Sequence, residues 1–127
     1  MSRLDKPIGT LLLLHPCLWS LSLLSPTGLP PLATAASFTV GALAMRGAGC
    51  TVNDMWDVEF DKNVARTKSR PLASGELSMP QATAHLGLQL SLGLAALLSL
   101  PHTEDCFYVA CASLPLVVLY PTAKRWT

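Results

Sequence analysis

Hydrophobic positions fall in four long runs, 8–24, 32–52, 82–100 and 106–120. Each is near or slightly below the roughly 20 residues that a helix needs to cross about 30 Å of hydrocarbon. Pro16 and Pro115 lie inside the first and last runs, where packed membrane helices tolerate proline better than soluble ones do. The connector 25–31 is rich in proline and glycine, 101–105 is short and polar, and 54–79 is the one long polar segment. This pattern predicts an all-α transmembrane helical bundle of about four membrane helices, with no internal repeat.

Composition agrees, since 50% of the 127 residues are hydrophobic and 13% charged, too apolar for an ordinary soluble domain. The net charge of +1 says little, but the placement of charge says more. If all four runs span, both ends and the polar segment share one side, which holds Arg3, Lys6, Lys62, Arg66, Lys68, Arg70, Lys124 and Arg125. The opposite side holds no lysine or arginine, as the positive-inside rule requires. Arg46 alone sits within an apolar run. A secretory signal peptide is the plain alternative for the amino terminus. Asp5 in its basic region, the lack of an Ala-x-Ala-like site and three further apolar runs oppose it. The partners expected are a lipid membrane and no nucleic acid.

Cys17, Cys50, Cys106 and Cys111 lie singly in apolar surroundings and read as small buried hydrophobes. His15, His85 and His102 are scattered and suggest packing or interface roles only.

The chemistry concentrates where the second run meets the polar segment, in an NDxxDxxxD pattern formed by Asn53, Asp54, Asp57 and Asp61. On one helix through 46–61, taking Arg46 as zero, Asn53 falls at about 340°, Asp57 at about 20°, Asp61 at about 60° and Asp54 at about 80°. Glu59, at about 220°, faces away, and Trp56, at about 280°, lies off the acidic face, where ordinary packing is expected of it. Three carboxylates on one face repel unless a cation sits among them. Magnesium favours oxygen ligands and commonly uses one or two carboxylates together with waters and substrate phosphates. Zinc lacks histidine and cysteine ligands here. The bases Arg66, Lys68 and Arg70 follow directly, and Lys124 and Arg125 lie on the same side, a set suited to a metal-bridged diphosphate. The bland reading of Arg66 to Arg70 is a solvated loop that sets topology, and that of Arg46 is a structural ion pair.

The stretch Met45-Arg46-Gly47-Ala48-Gly49-Cys50-Thr51-Val52-Asn53-Asp54, continuing through Asp57, Asp61 and Arg66 to Gly75, resembles the UbiA-type aromatic prenyltransferases. Within them it is most similar to the 4-hydroxybenzoate branch. Arg3-Leu4-Asp5-Lys6-Pro7-Ile8-Gly9 is similar to that family's opening, and Tyr120-Pro121-Thr122-Ala123-Lys124-Arg125 to its motif after the fourth helix. The resemblance implies magnesium-dependent transfer of a polyprenyl group from polyprenyl diphosphate to the ring of 4-hydroxybenzoate, an early step of ubiquinone biosynthesis. It implies an integral membrane protein, in the mitochondrial inner membrane if eukaryotic and the plasma membrane if bacterial. By analogy Asp54, Asp57 and Asp61 are catalytic, and with Asn53 they hold Mg2+, while Arg46, Arg66, Lys68, Arg70, Lys124 and Arg125 contact diphosphate. Trp56, Phe60 or Tyr120 would offer ring faces to an allylic cation.

Members of the family resemble a nine-helix bundle with a second aspartate-rich motif in the later half. Residues 1–127 are therefore expected to be the N-terminal part of such a membrane domain, inactive alone. Glu104 and Asp105, on the opposite side, do not replace that motif. Competing readings are another UbiA-type aromatic or haem prenyltransferase, and a non-catalytic membrane subunit whose acids and Arg46 form a structural network. Soluble isoprenyl synthases are opposed by the four apolar runs, and CDP-alcohol phosphotransferases by the missing DGxxAR signature.

Overall fold

The computed structural model describes residues 2 and 6–126, without the side chains of 117, 118 and 120–126. Five helices follow one another: α1 (Ile8–Leu24), α2 (Leu32–Trp56), α3 (Val58–Asn63), α4 (Met79–Leu98) and α5 (Thr103–Trp126). The all-α expectation holds, with no strand among the described residues. Four of the helices are the four apolar runs, and α3 is carved from the acidic segment.

Helix α2 is the centre of the bundle, packed mainly on α4 and also on α1. Its buried positions, Ala44, Gly47, Ala48, Thr51 and Asp54, recur at helical spacing, so one stripe faces the bundle. The answering stripe on α4 is Ala82, Gln89 and Ala96, seven residues apart each time. Small side chains let the two backbones approach closely: Gly93 makes room for the Met45 thioether, and Gly41 lies opposite the Ala96 methyl. Ser78 caps α4, its backbone N–H donating to the Gln81 side chain at 2.9 Å, with Pro80 in the first turn where no donor is needed.

Two corrections to the sequence reading follow. No helix among the described residues is long and apolar enough to cross a membrane. Helix α1 has 17 residues, α2 carries Arg46 and Asp54 toward its end, α4 is interrupted by Gln81, His85 and Gln89, and α5 begins with Glu104 and Asp105. The apolar runs are thus real helices, diluted by polar side chains, of which Asp54 and Gln89 are buried in the bundle while Gln81, Glu104 and Asp105 are exposed. The last run also does not stop at Tyr120-Pro121, because α5 continues through Pro121 to Trp126.

The bundle is clothed in hydrocarbon. Leu12, Leu23, Leu24 and Leu32 are 70–86% exposed, and large apolar side chains stand outward on α1, α2, α4 and α5. Helix α1 has no buried residue at all. Of the cysteines only Cys50 is buried, and Cys111 is exposed, so the expectation of four buried thiols fails for the three outside the α2 stripe; all four are free.

Candidate active site

The single helix expected through 46–61 is broken at Asp57, whose φ of −98° and ψ of 11° end α2 and start α3. The break is shallow. Asp57 N–H still donates to the Asn53 carbonyl at 3.0 Å, and Asp61 N–H to the Asp57 carbonyl at 2.8 Å, so the four-residue periodicity carries across the joint. Asp54 and Asp61, seven residues apart, therefore remain on one side, as their similar wheel angles require.

Both carboxylates are buried, Asp54 at 3% and Asp61 at 7% exposure. Arg70 answers both. Arg70 Nη1 stands 2.6 Å from Asp61 Oδ2 and 3.1 Å from Asp54 Oδ1, a charge-assisted bridge that offsets the desolvation of two acids. Arg70 arrives from the segment 64–78, which folds back in successive turns. Its Thr67 and Leu72, on either side of Arg70, are buried. The Thr67 hydroxyl lies 3.3 Å from the Asp61 carbonyl, tying the segment to the end of α3.

The sequence expectation of a four-ligand metal set meets a narrower arrangement. Among the described residues no three histidine, cysteine, aspartate or glutamate side chains gather closely enough to hold a metal together. Asp54 and Asp61 converge on a common point, and a guanidinium nitrogen of Arg70 marks it. Two buried carboxylates aimed at one positive charge form a donor set that suits a hard dication completed by waters and phosphate oxygens. Asn53 and Asp57 are half-buried near the joint.

The basic residues divide. Arg70 turns inward, while Arg66 and Lys68 are exposed. The side chains of Lys124 and Arg125 lie outside the described residues, as does that of Tyr120. Arg46 leans across α1 at Gly9, where a Cβ would come within 2.7 Å of Nη2, so a larger residue there would displace the guanidinium. Its Nε is buried and has no hydrogen-bond partner. An orphaned donor of this kind is costly unless an anion completes it. Glu59 stays outside the site, exposed and paired with Lys62 at 2.7 Å. Trp56 and Phe60 are 51% and 61% exposed.

Sequence reasoning missed a polar seam one turn before Asp54. Thr51, fully buried, has its hydroxyl 3.0 Å from the Gly47 carbonyl and 3.1 Å from Gln89 Oε1. Gln89 Nε2 donates to Ser2 Oγ at 2.9 Å, and Ser2 Oγ lies 3.1 Å from His85 Nε2. Glutamine inside an apolar run was the available signal, since a buried amide must find partners.

Comparison with known proteins places these residues in context. The profile of the UbiA prenyltransferase family matches residues 13–127. The whole chain is 50% identical to 34% of 4-hydroxybenzoate polyprenyltransferase, mitochondrial, of Rattus norvegicus. It is 50% identical to 27% of the protein of that name in Dictyostelium discoideum, and 49% identical to 35% of the one in Caenorhabditis elegans. The chain thus spans about a third of the length of the curated relatives it matches. No solved structure matches it.

Proposed function

The chain belongs to the UbiA prenyltransferase family, and on that premise we propose that it forms the diphosphate-binding part of a 4-hydroxybenzoate polyprenyltransferase. The reaction is transfer of a polyprenyl group from polyprenyl diphosphate to the ring of 4-hydroxybenzoate, a step of ubiquinone biosynthesis. Identity near 50% across the whole chain to relatives of that name supports this substrate pair over other acceptors.

One observation carries the reading: two buried carboxylates converge on the guanidinium of Arg70, a base that can also grip phosphate. In the proposed site Asp54 and Asp61 hold Mg2+, with Asn53 and Asp57 close by. When bound, Mg2+ neutralises charge on the departing diphosphate. Arg46, whose buried Nε lacks a partner, donates to a diphosphate oxygen. Arg66, Lys68 and Arg70 close on the same group from segment 64–78, and Lys124 and Arg125 join them from the end of α5. Together these donors stabilise diphosphate as its C–O bond to the prenyl group breaks, so that an allylic cation develops; a carbon of the electron-rich phenol ring captures it and then releases its proton, restoring the aromatic ring. The acids order the diphosphate end; the apolar exterior receives lipid and the isoprenoid.

The same reading puts the bundle in a membrane, the mitochondrial inner membrane, in line with the names of the relatives. Leucine side chains exposed on every long helix support it, because water would be an expensive neighbour for so much hydrocarbon. We further propose that these 127 residues, holding one acidic cluster, bind diphosphate without turning substrate over.

The test is calorimetric titration of the detergent-solubilised chain with geranyl thiodiphosphate, an unreactive prenyl diphosphate analogue. Binding should require Mg2+ and fall at least tenfold in Asp54→Asn. A closed acid–arginine–acid triad also suits a purely structural network in a non-catalytic membrane subunit. Affinity indifferent to both Mg2+ and Asp54→Asn would establish that alternative instead.

A further inference from the structure

We infer that Arg70 is an internal counter-cation that makes the Asp54–Asp61 pair selective for a metal–diphosphate complex over the bare metal. The inference rests on the diphosphate reading above and adds to it the order in which charges are exchanged.

The bridge is well shielded. The side chains of Asp54, Asp61 and Arg70 are 4%, 10% and 21% exposed, so bulk water screens their mutual attraction only weakly. A bare dication that took the carboxylates would have to evict the guanidinium from both acids and leave it beside a doubly positive ion. Breaking a buried pair in that way is strongly unfavourable. A diphosphate arriving with the metal changes the balance. The acids pass to the dication, and the guanidinium, planar and rich in donors, passes to the phosphate oxygens. Every charge then exchanges one partner for another and none is left alone.

The surrounding structure confines the motion to one side chain. Thr67 and Leu72 are buried on either side of Arg70, and Arg70 N–H donates to the Thr67 carbonyl at 2.9 Å. Segment 64–78 therefore stays anchored while the guanidinium swings. Metal and diphosphate are coupled through Arg70, and by linkage each raises the affinity for the other by the same factor.

The experiment measures Mn2+, a hard dication with the same preference for oxygen, by electron paramagnetic resonance of the free ion. The detergent-solubilised chain is titrated with Mn2+ alone and with Mn2+ plus inorganic pyrophosphate. The wild-type chain should bind bare Mn2+ weakly and the pair tightly. Arg70→Gln should raise the affinity for bare Mn2+ at least tenfold and shrink the gain that pyrophosphate brings. If Arg70→Gln fails to fold with its two acids uncompensated, Arg70→Lys carries the test. An ammonium keeps the charge but not the bridge, and a gain of a few-fold in bare Mn2+ affinity is expected. Unchanged or weaker bare Mn2+ binding in the variant, with metal-dependent pyrophosphate binding intact in the wild type, overturns this inference and leaves the diphosphate reading standing. Absence of metal-dependent pyrophosphate binding in the wild type overturns both.

Discussion

Replacing Gly47 by alanine tests how tightly α2 and α4 are locked above the acids. An added Cβ would overlap Gln89 Nε2 and lie 3.3 Å from Ser2 Oγ. Gln89 is 6% exposed and held by hydrogen bonds to Thr51 at 3.1 Å and Ser2 at 2.9 Å, so it cannot retreat without breaking at least one. Each such bond contributes about 1 kcal/mol net, and forcing a methyl into a filled interface costs about 1–3 kcal/mol. Alanine in place of glycine inside a helix returns about 1 kcal/mol. The expected outcome is a net loss of about 1–3 kcal/mol, read as a fall of several degrees in the Tm of the detergent-solubilised chain. In a Gln89→Ala background the obstruction is gone, and the same change should stabilise by up to about 1 kcal/mol. The sign therefore reverses between backgrounds, a coupling that a double-mutant cycle isolates. A rise in Tm for Gly47→Ala alone, or an equal shift in both backgrounds, would refute the picture of Gln89 as a fixed wedge.

Two further outcomes separate the site from its surroundings. Gly9→Val would drive a side chain into the space taken by the Arg46 guanidinium, and calorimetry should register weaker Mg2+–pyrophosphate binding, at least several-fold, with little change in helix content by circular dichroism. Glu59→Gln removes an exposed acid paired with Lys62, and should leave both Tm and pyrophosphate affinity at wild-type values; a loss of binding there would mean that the acidic face lies on the other side of the helix.

The joint at Asp57 explains why the wheel placed some acids well and others less so. Asp54 and Asp61 were legible as neighbours because seven residues return nearly to the same helical angle, and the backbone hydrogen bonds continue across the break. A divalent metal ion among them was expected on charge grounds. That the cation is Arg70 was not, since a wheel contains no information about a segment that folds back from 64–78.

Local pattern alone determined the helical class, the course of α1 from Ile8 to Leu24, and the gathering of acids at the end of the second run. These follow from periodicity and charge, which act over a few residues. Only the tertiary structure decided that Arg46 rests in the notch at Gly9, that Thr51, Gln89, Ser2 and His85 form one seam, and that Arg70 rather than Arg66 or Lys68 turns inward. Those choices depend on which side chains meet across α1, α2 and α4. Burial of a polar group is settled by the partner it finds, and that partner lies as many as 87 positions away along the chain.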